Sequence, residues 1–136
     1  MPKRFLIALL SVLFSILIHG YLSFHYYPLK FGMSGDEKLC NISETLNCDA
    51  VSASPYADVL GIPLALLGVV ANIVLLGLIL ISWFGLTEDP SKTRRWSFLL
   101  ALALAMSSIV MAGVSFLLMS VYCVFCMGLY VLSFIT

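Results

Sequence analysis

Charge is what this sequence has least of. Seven lysines and arginines and seven aspartates and glutamates stand among 136 residues, a tenth of the chain with no net charge, where a soluble domain carries about a quarter. That shortage excludes a water-soluble fold, and the even balance leaves no basic excess to bind nucleic acid. Internal repeats and low-complexity tracts are also missing, so the chain reads as one domain. Histidine is down to His19 and His25. Six residues apart, they fall on different faces of a helix and cannot jointly hold a haem or a metal, which makes them core or interfacial histidines. No small-x-small cleavage site follows the first apolar run, so Lys3 and Arg4 introduce a membrane anchor rather than a cleaved leader.

What the chain has in quantity is apolar surface: 62% hydrophobic residues and a mean hydropathy of +1.09. A bilayer core about 30 Å thick needs about 20 helical residues at 1.5 Å each. Uncharged runs of that length extend from Phe5 to Tyr27, from Gly61 to Leu86 and from Trp96 to Thr136. The last, 41 residues, would measure about 60 Å as one helix and must fold back, with a turn near Leu118 to Tyr122. The prediction is an all-α integral membrane protein, a four-transmembrane-helix bundle with helices at about 5–27, 61–86, 96–119 and 121–136. An outer loop and a short surface helix join the first two. Only ten residues follow Cys126, about 15 Å of helix, so the last span is incomplete as it stands, either because the natural chain continues or because it has been shortened.

Charge distribution orients the bundle. Lys3 and Arg4 precede the first span and Lys92, Arg94 and Arg95 lie between the second and third, which places both segments in the cytoplasm. Asp36, Glu37, Glu44, Asp49 and Asp58 fall in the loop between the first two spans, on the outer side. Trp83 and Trp96 flank the inner loop, and Tyr26, Tyr27, Tyr56 and Tyr122 gather toward the outer face, as interfacial aromatics do.

The four cysteines then share one compartment. Cys40 and Cys48 lie in the outer loop, and the turn carrying Cys123 and Cys126 returns to the same side, an oxidising one. Cys123 and Cys126 form a C-x-x-C at a helix start, where backbone amides favour a thiolate. Thiolate attack on a disulfide is how thiol exchange runs, so such a pair suits redox work. Taken alone, the C-x-x-C reads equally as two packed thiols, and the loop pair as a structural staple. Both pairs in one compartment are the arrangement a relay needs. A zinc site from all four thiolates fits less well, since only one pair has the short knuckle spacing. Gly68 and Gly77 allow close helix approach around a lipid-accessible pocket beside Cys126.

The segment CNISETLNCDAVSASPYADVLGIPLALLG, Cys40 to Gly68, together with CVFC at Cys123 to Cys126 and with Tyr130, resembles bacterial homologues of vitamin K epoxide reductase over nearly the whole chain. The resemblance implies a membrane thiol:quinone oxidoreductase of the bacterial inner membrane, with its N-terminus cytoplasmic and all four cysteines periplasmic. Its partner would be a periplasmic thioredoxin-fold protein, in many bacterial members fused to the same chain, and its electron acceptor ubiquinone or menaquinone in the lipid bilayer. Cys40 and Cys48 take the place of the shuttle pair, Cys123 receives electrons from the loop, and Cys126 faces the quinone. Ser54 and Tyr130 match positions near the quinone headgroup, while the family's pocket asparagine has no clear counterpart.

Ser54 followed by Pro55 also reads as a helix N-cap, with YADVLGI as an amphipathic surface helix presenting Tyr56, Val59 and Leu60. Tyr130, one turn from Cys126, is equally an ordinary packed aromatic or a donor to a quinone oxygen. The other known type of membrane disulfide oxidase carries its C-x-x-C in the first outer loop, the reverse of the order here. Two rival readings are epoxide reduction as in animal members, with Asn41-Ile42-Ser43 as a weak glycosylation signal, and a non-catalytic scaffold stapled by disulfides.

Overall fold

The computed structural model describes residues 2–32 and 42–136. Asp36, Glu37, Lys38, Cys40 and Asn41 lie outside the described residues. Among the described residues, three helices are long and apolar enough to cross a membrane: α1 (Lys3–Lys30), α3 (Leu64–Phe84), and α4 (Pro90–Val114) with the π-helical turn Ser115–Met119 that prolongs it. A shorter apolar helix, α5 (Val124–Ile135), completes the bundle. Helix α1 packs on α3 and α5, and α4 closes the ring by packing on the same two.

These helices are built inside out. On α1 the buried positions include Ser11, Ser15 and Ser23, whereas Leu17, Phe14 and Phe24 are exposed. Lipid is as apolar as leucine, so helix contact is driven by close packing of small side chains and the large apolar ones turn outward. Phe5 stacks on Trp83 with ring centroids 4.1 Å apart, joining the start of α1 to the end of α3. The arginines and lysines at the start of α1 and α4 therefore share one end of the bundle.

Helix boundaries follow local chemistry. Helix α4 begins at Pro90, six residues before Trp96, because Asp89-Pro90 places a proline at the first helical position where its missing N–H is harmless. Lys92, Arg94 and Arg95 ride in its first turns. Gly85, at φ 64°, ends α3 in the left-handed conformation that favours glycine.

Between α1 and α3 the structure departs from the expected surface helix. Residues Tyr56 to Leu60 do not coil; Asp58–Val59 (β1) and Ile62–Pro63 (β2) pair antiparallel. Leu60 and Gly61 both have positive φ, 55° and 84°, the requirement of a two-residue type I′ hairpin turn. Leu64 N–H donates to Ala57 O at 2.9 Å and closes the hairpin onto α3. The short helix of this region is instead α2, Cys48–Ser52, whose N-cap Asn47 accepts from Ala50 N–H at 3.1 Å. Such a cap contributes about 1 kcal/mol. Ser54 is no N-cap either: its hydroxyl donates back to Val51 O at 2.7 Å, at the end of α2.

Lys30, the last residue of α1, tethers the hairpin. Its Nζ donates to Asp58 Oδ2 and to the Tyr26 hydroxyl, each at 2.6 Å. The Lys30 hydrogen bond, followed by that of Tyr26, holds the Asp58 carboxyl below its ordinary range. A depressed carboxyl contributes stability above its unfolded value of about 3.9 and loses it as pH falls through the folded value. Amide protection at Val59 and Leu64 should therefore persist down to about pH 4 and fall below it. Asp58→Asn should show the weaker protection already at neutral pH; equal protection in the two proteins would show that the tether does nothing.

Candidate functional site

Where Cys48 and Cys123 meet is settled by backbone before side chains. Tyr122 N–H donates to Thr45 O at 2.7 Å, and Asn47 N–H donates to Tyr122 O at 3.0 Å. This parallel bridge, Leu46 against Tyr122, joins the loop segment just before Cys48 to the residue just before Cys123. It also holds Tyr122 and Cys123 extended, so α5 starts at Val124 rather than near residue 121. The turn into it is made at Ser120, whose φ of 52° reverses the chain after Met119.

The consequence is a sulfur pair. Cys48 Sγ lies 2.8 Å from Cys123 Sγ, both residues buried, at 5% and 3% exposure. This is longer than a disulfide bond of about 2.05 Å and short enough for exchange. Cys48 is disulfide-bonded, and Cys123 and Cys126 are free thiols. Cys40 lies outside the described residues.

Cys123 is the N-cap of α5, and its sulfur accepts from the Cys126 N–H at 3.3 Å. The neighbouring Cys126 thiol, then the amides of Cys126 and Phe125, hold the Cys123 thiol below its usual range against the opposing effect of burial. A thiolate at a helix start is the nucleophilic form. Phe125, between the two thiols, packs edge-on against Tyr21 at 5.2 Å and pins the motif to α1.

Cys126, whose thiol lies beside Cys123, also lines a cavity of about 330 Å³, a size at the lower end for small-molecule sites. Leu22, Pro63, Ala65, Leu104 and Leu129 form much of its wall, and Cys126 and Tyr130 share one side of it. Tyr130 neighbours Ser115 of the π-helical turn. Ser54 does not line the cavity, whereas Ser52 does.

Sequence reasoning missed Asn72 and His19, which both face this space. Asn72 is 5% exposed and donates through Nδ2 to Gly68 O at 2.8 Å. Its signal was present: it is the one amide in the apolar helix α3, and polar groups within a span are costly enough to mark function. Of the two glycines expected to permit close approach, Gly68 does so, since a Cβ there would overlap the His19 ring. Gly77 meets nothing within 4 Å and plays no such part.

A family model described as the vitamin K epoxide reductase family matches residues 5–136, nearly the whole chain. No curated protein and no solved structure matches.

Proposed function

The chain belongs to the vitamin K epoxide reductase family, and from that premise we propose that it oxidises the dithiol of a thioredoxin-fold protein and passes the electrons, through two cysteine pairs, to a quinone. Membership makes it a multi-pass membrane protein of the thiol and quinone oxidoreductase kind. The observation that carries the finer reading is the 2.8 Å approach of Cys48 to Cys123, with Cys126 on the wall of an apolar cavity.

The steps balance in electrons and protons. A partner dithiol reduces the loop disulfide of Cys40 and Cys48 and leaves oxidised. The Cys48 thiolate then attacks Cys123 Sγ of a Cys123–Cys126 disulfide, and Cys126 leaves as the thiol. Cys40 attacks Cys48 in turn, which restores the loop disulfide and releases Cys123. The quinone supplies an acceptor for the two electrons and two protons that the Cys123–Cys126 dithiol then gives up. A mostly apolar cavity of this volume, with a few polar groups and a thiol at its wall, fits such a headgroup. Cys126 faces it, Tyr130 offers a hydroxyl donor, and the surrounding leucines exclude water.

In this scheme a loop disulfide with Cys123 and Cys126 both reduced is the state that follows exchange and precedes quinone reduction. For the location we propose four spans in a bacterial inner membrane, with the N-terminus cytoplasmic and the cysteines periplasmic. Lys3, Arg4, Lys92, Arg94 and Arg95 support this by lying at the bundle end away from the sulfurs. Purified protein should oxidise a reduced thioredoxin-fold substrate only when a quinone is supplied. Oxidation at the same rate without quinone, or none with it, would overturn the reading.

A further inference from the structure

We propose that His19 is the residue with which this chain holds the reduced form of its quinone, its Nε2 lone pair accepting from the hydroxyl that reduction creates. The proposal rests on the quinone reading of the cavity. His19 stands on α1 and lines the same cavity as Cys126 and Tyr130 of α5.

Its ring is held in place from two sides. Nδ1 lies 2.8 Å from Ser15 O, and a carbonyl oxygen only accepts, so Nδ1 carries the hydrogen. The opposite edge of the ring fits the gap left by the missing side chain of Gly68. Nε2 makes no hydrogen bond to a described residue. Among the described residues no carboxylate lines the cavity, and an isolated charge in an apolar wall is costly, so the ring is neutral and Nε2 presents a lone pair. Asn72 repeats the pattern, because its Nδ2 is committed to Gly68 O and the amide oxygen remains as an acceptor.

Acceptors discriminate between the two redox forms. A quinone carbonyl also accepts and gains nothing from a lone pair, whereas a hydroquinone hydroxyl donates to it. In the reaction two S–H bonds of Cys123 and Cys126 break, an S–S bond forms, and the two electrons and two protons reach the quinone as two O–H bonds. His19 takes no net proton. It stabilises the product side, and so draws electrons from the cysteines.

The test is equilibrium binding of decyl-ubiquinone and of its two-electron reduced form to the full chain carrying Cys126→Ser, which stops electron transfer. His19→Phe keeps a ring of similar shape without nitrogen. It should weaken the reduced form by about three- to tenfold, the value of one hydrogen bond, and leave the quinone affinity unchanged. His19→Gln, which retains an acceptor, should recover much of the preference. Gly68→Ala, which displaces the ring with His19 intact, should lose it and serves if His19→Phe does not fold. Equal weakening of both forms, or none, would show that the ring only packs and would overturn the proposal. Failure of the parent protein to bind either form would remove the quinone reading itself.

Discussion

Cys126→Ser should reduce quinone-linked oxidation of a thioredoxin-fold substrate by at least about a thousandfold, as removal of an essential nucleophile does. Serine is close in shape, so the bundle should keep its stability. What disappears is the only thiol of the C-x-x-C that lines the cavity, since Cys123 sits in the sulfur pair with Cys48 instead. Without Cys126 no Cys123–Cys126 disulfide can form to receive electrons from the loop. Turnover is measured with the partner in excess and quinone reduction followed by absorbance. Activity within tenfold of the parent protein would remove Cys126 from the quinone step.

Cys48→Ser should separate the two halves of the relay. Oxidation of the protein substrate should again fall by about a thousandfold, because Cys48 is the loop sulfur held beside Cys123. A small dithiol such as dithiothreitol needs no loop, provided it reaches Cys123 by itself. Quinone-dependent oxidation of dithiothreitol should therefore survive to within about tenfold, a difference of about 1.4 kcal/mol in barrier. A stapled scaffold would show neither activity, and a direct partner-to-Cys123 reaction would leave both intact. The two outcomes separate the relay from each rival.

Much of this was legible in the amino-acid pattern because membranes enforce simple rules. Scarce charge and long apolar runs revealed the spans, and the C-x-x-C stood out once charge distribution placed a second cysteine pair on the same side. The contact between Cys48 and Cys123 was less accessible. It depends on the bridge of Leu46 to Tyr122, a pairing between residues far apart in sequence with no periodic signature.

The hairpin at Asp58–Pro63 was hidden for another reason. Tyr56, Val59 and Leu60 have helical spacing, and Leu-Gly is not the usual turn pair, since leucine rarely takes a positive φ. His19 escaped because it was judged only by its spacing from His25, and Asn72 was not singled out. That both line one cavity follows from which helix faces meet around Gly68, and that is decided by packing alone.

The account stands on one juxtaposition, the loop sulfur of Cys48 against Cys123. The direct measurement is disulfide mapping by mass spectrometry in the full chain carrying Cys40→Ser and Cys126→Ser, oxidised mildly in the membrane. With both resolving thiols gone, the account predicts a Cys48–Cys123 bond in most molecules. Cys48 and Cys123 both recovered as free thiols, while other accessible thiols in the sample are fully oxidised, would contradict it.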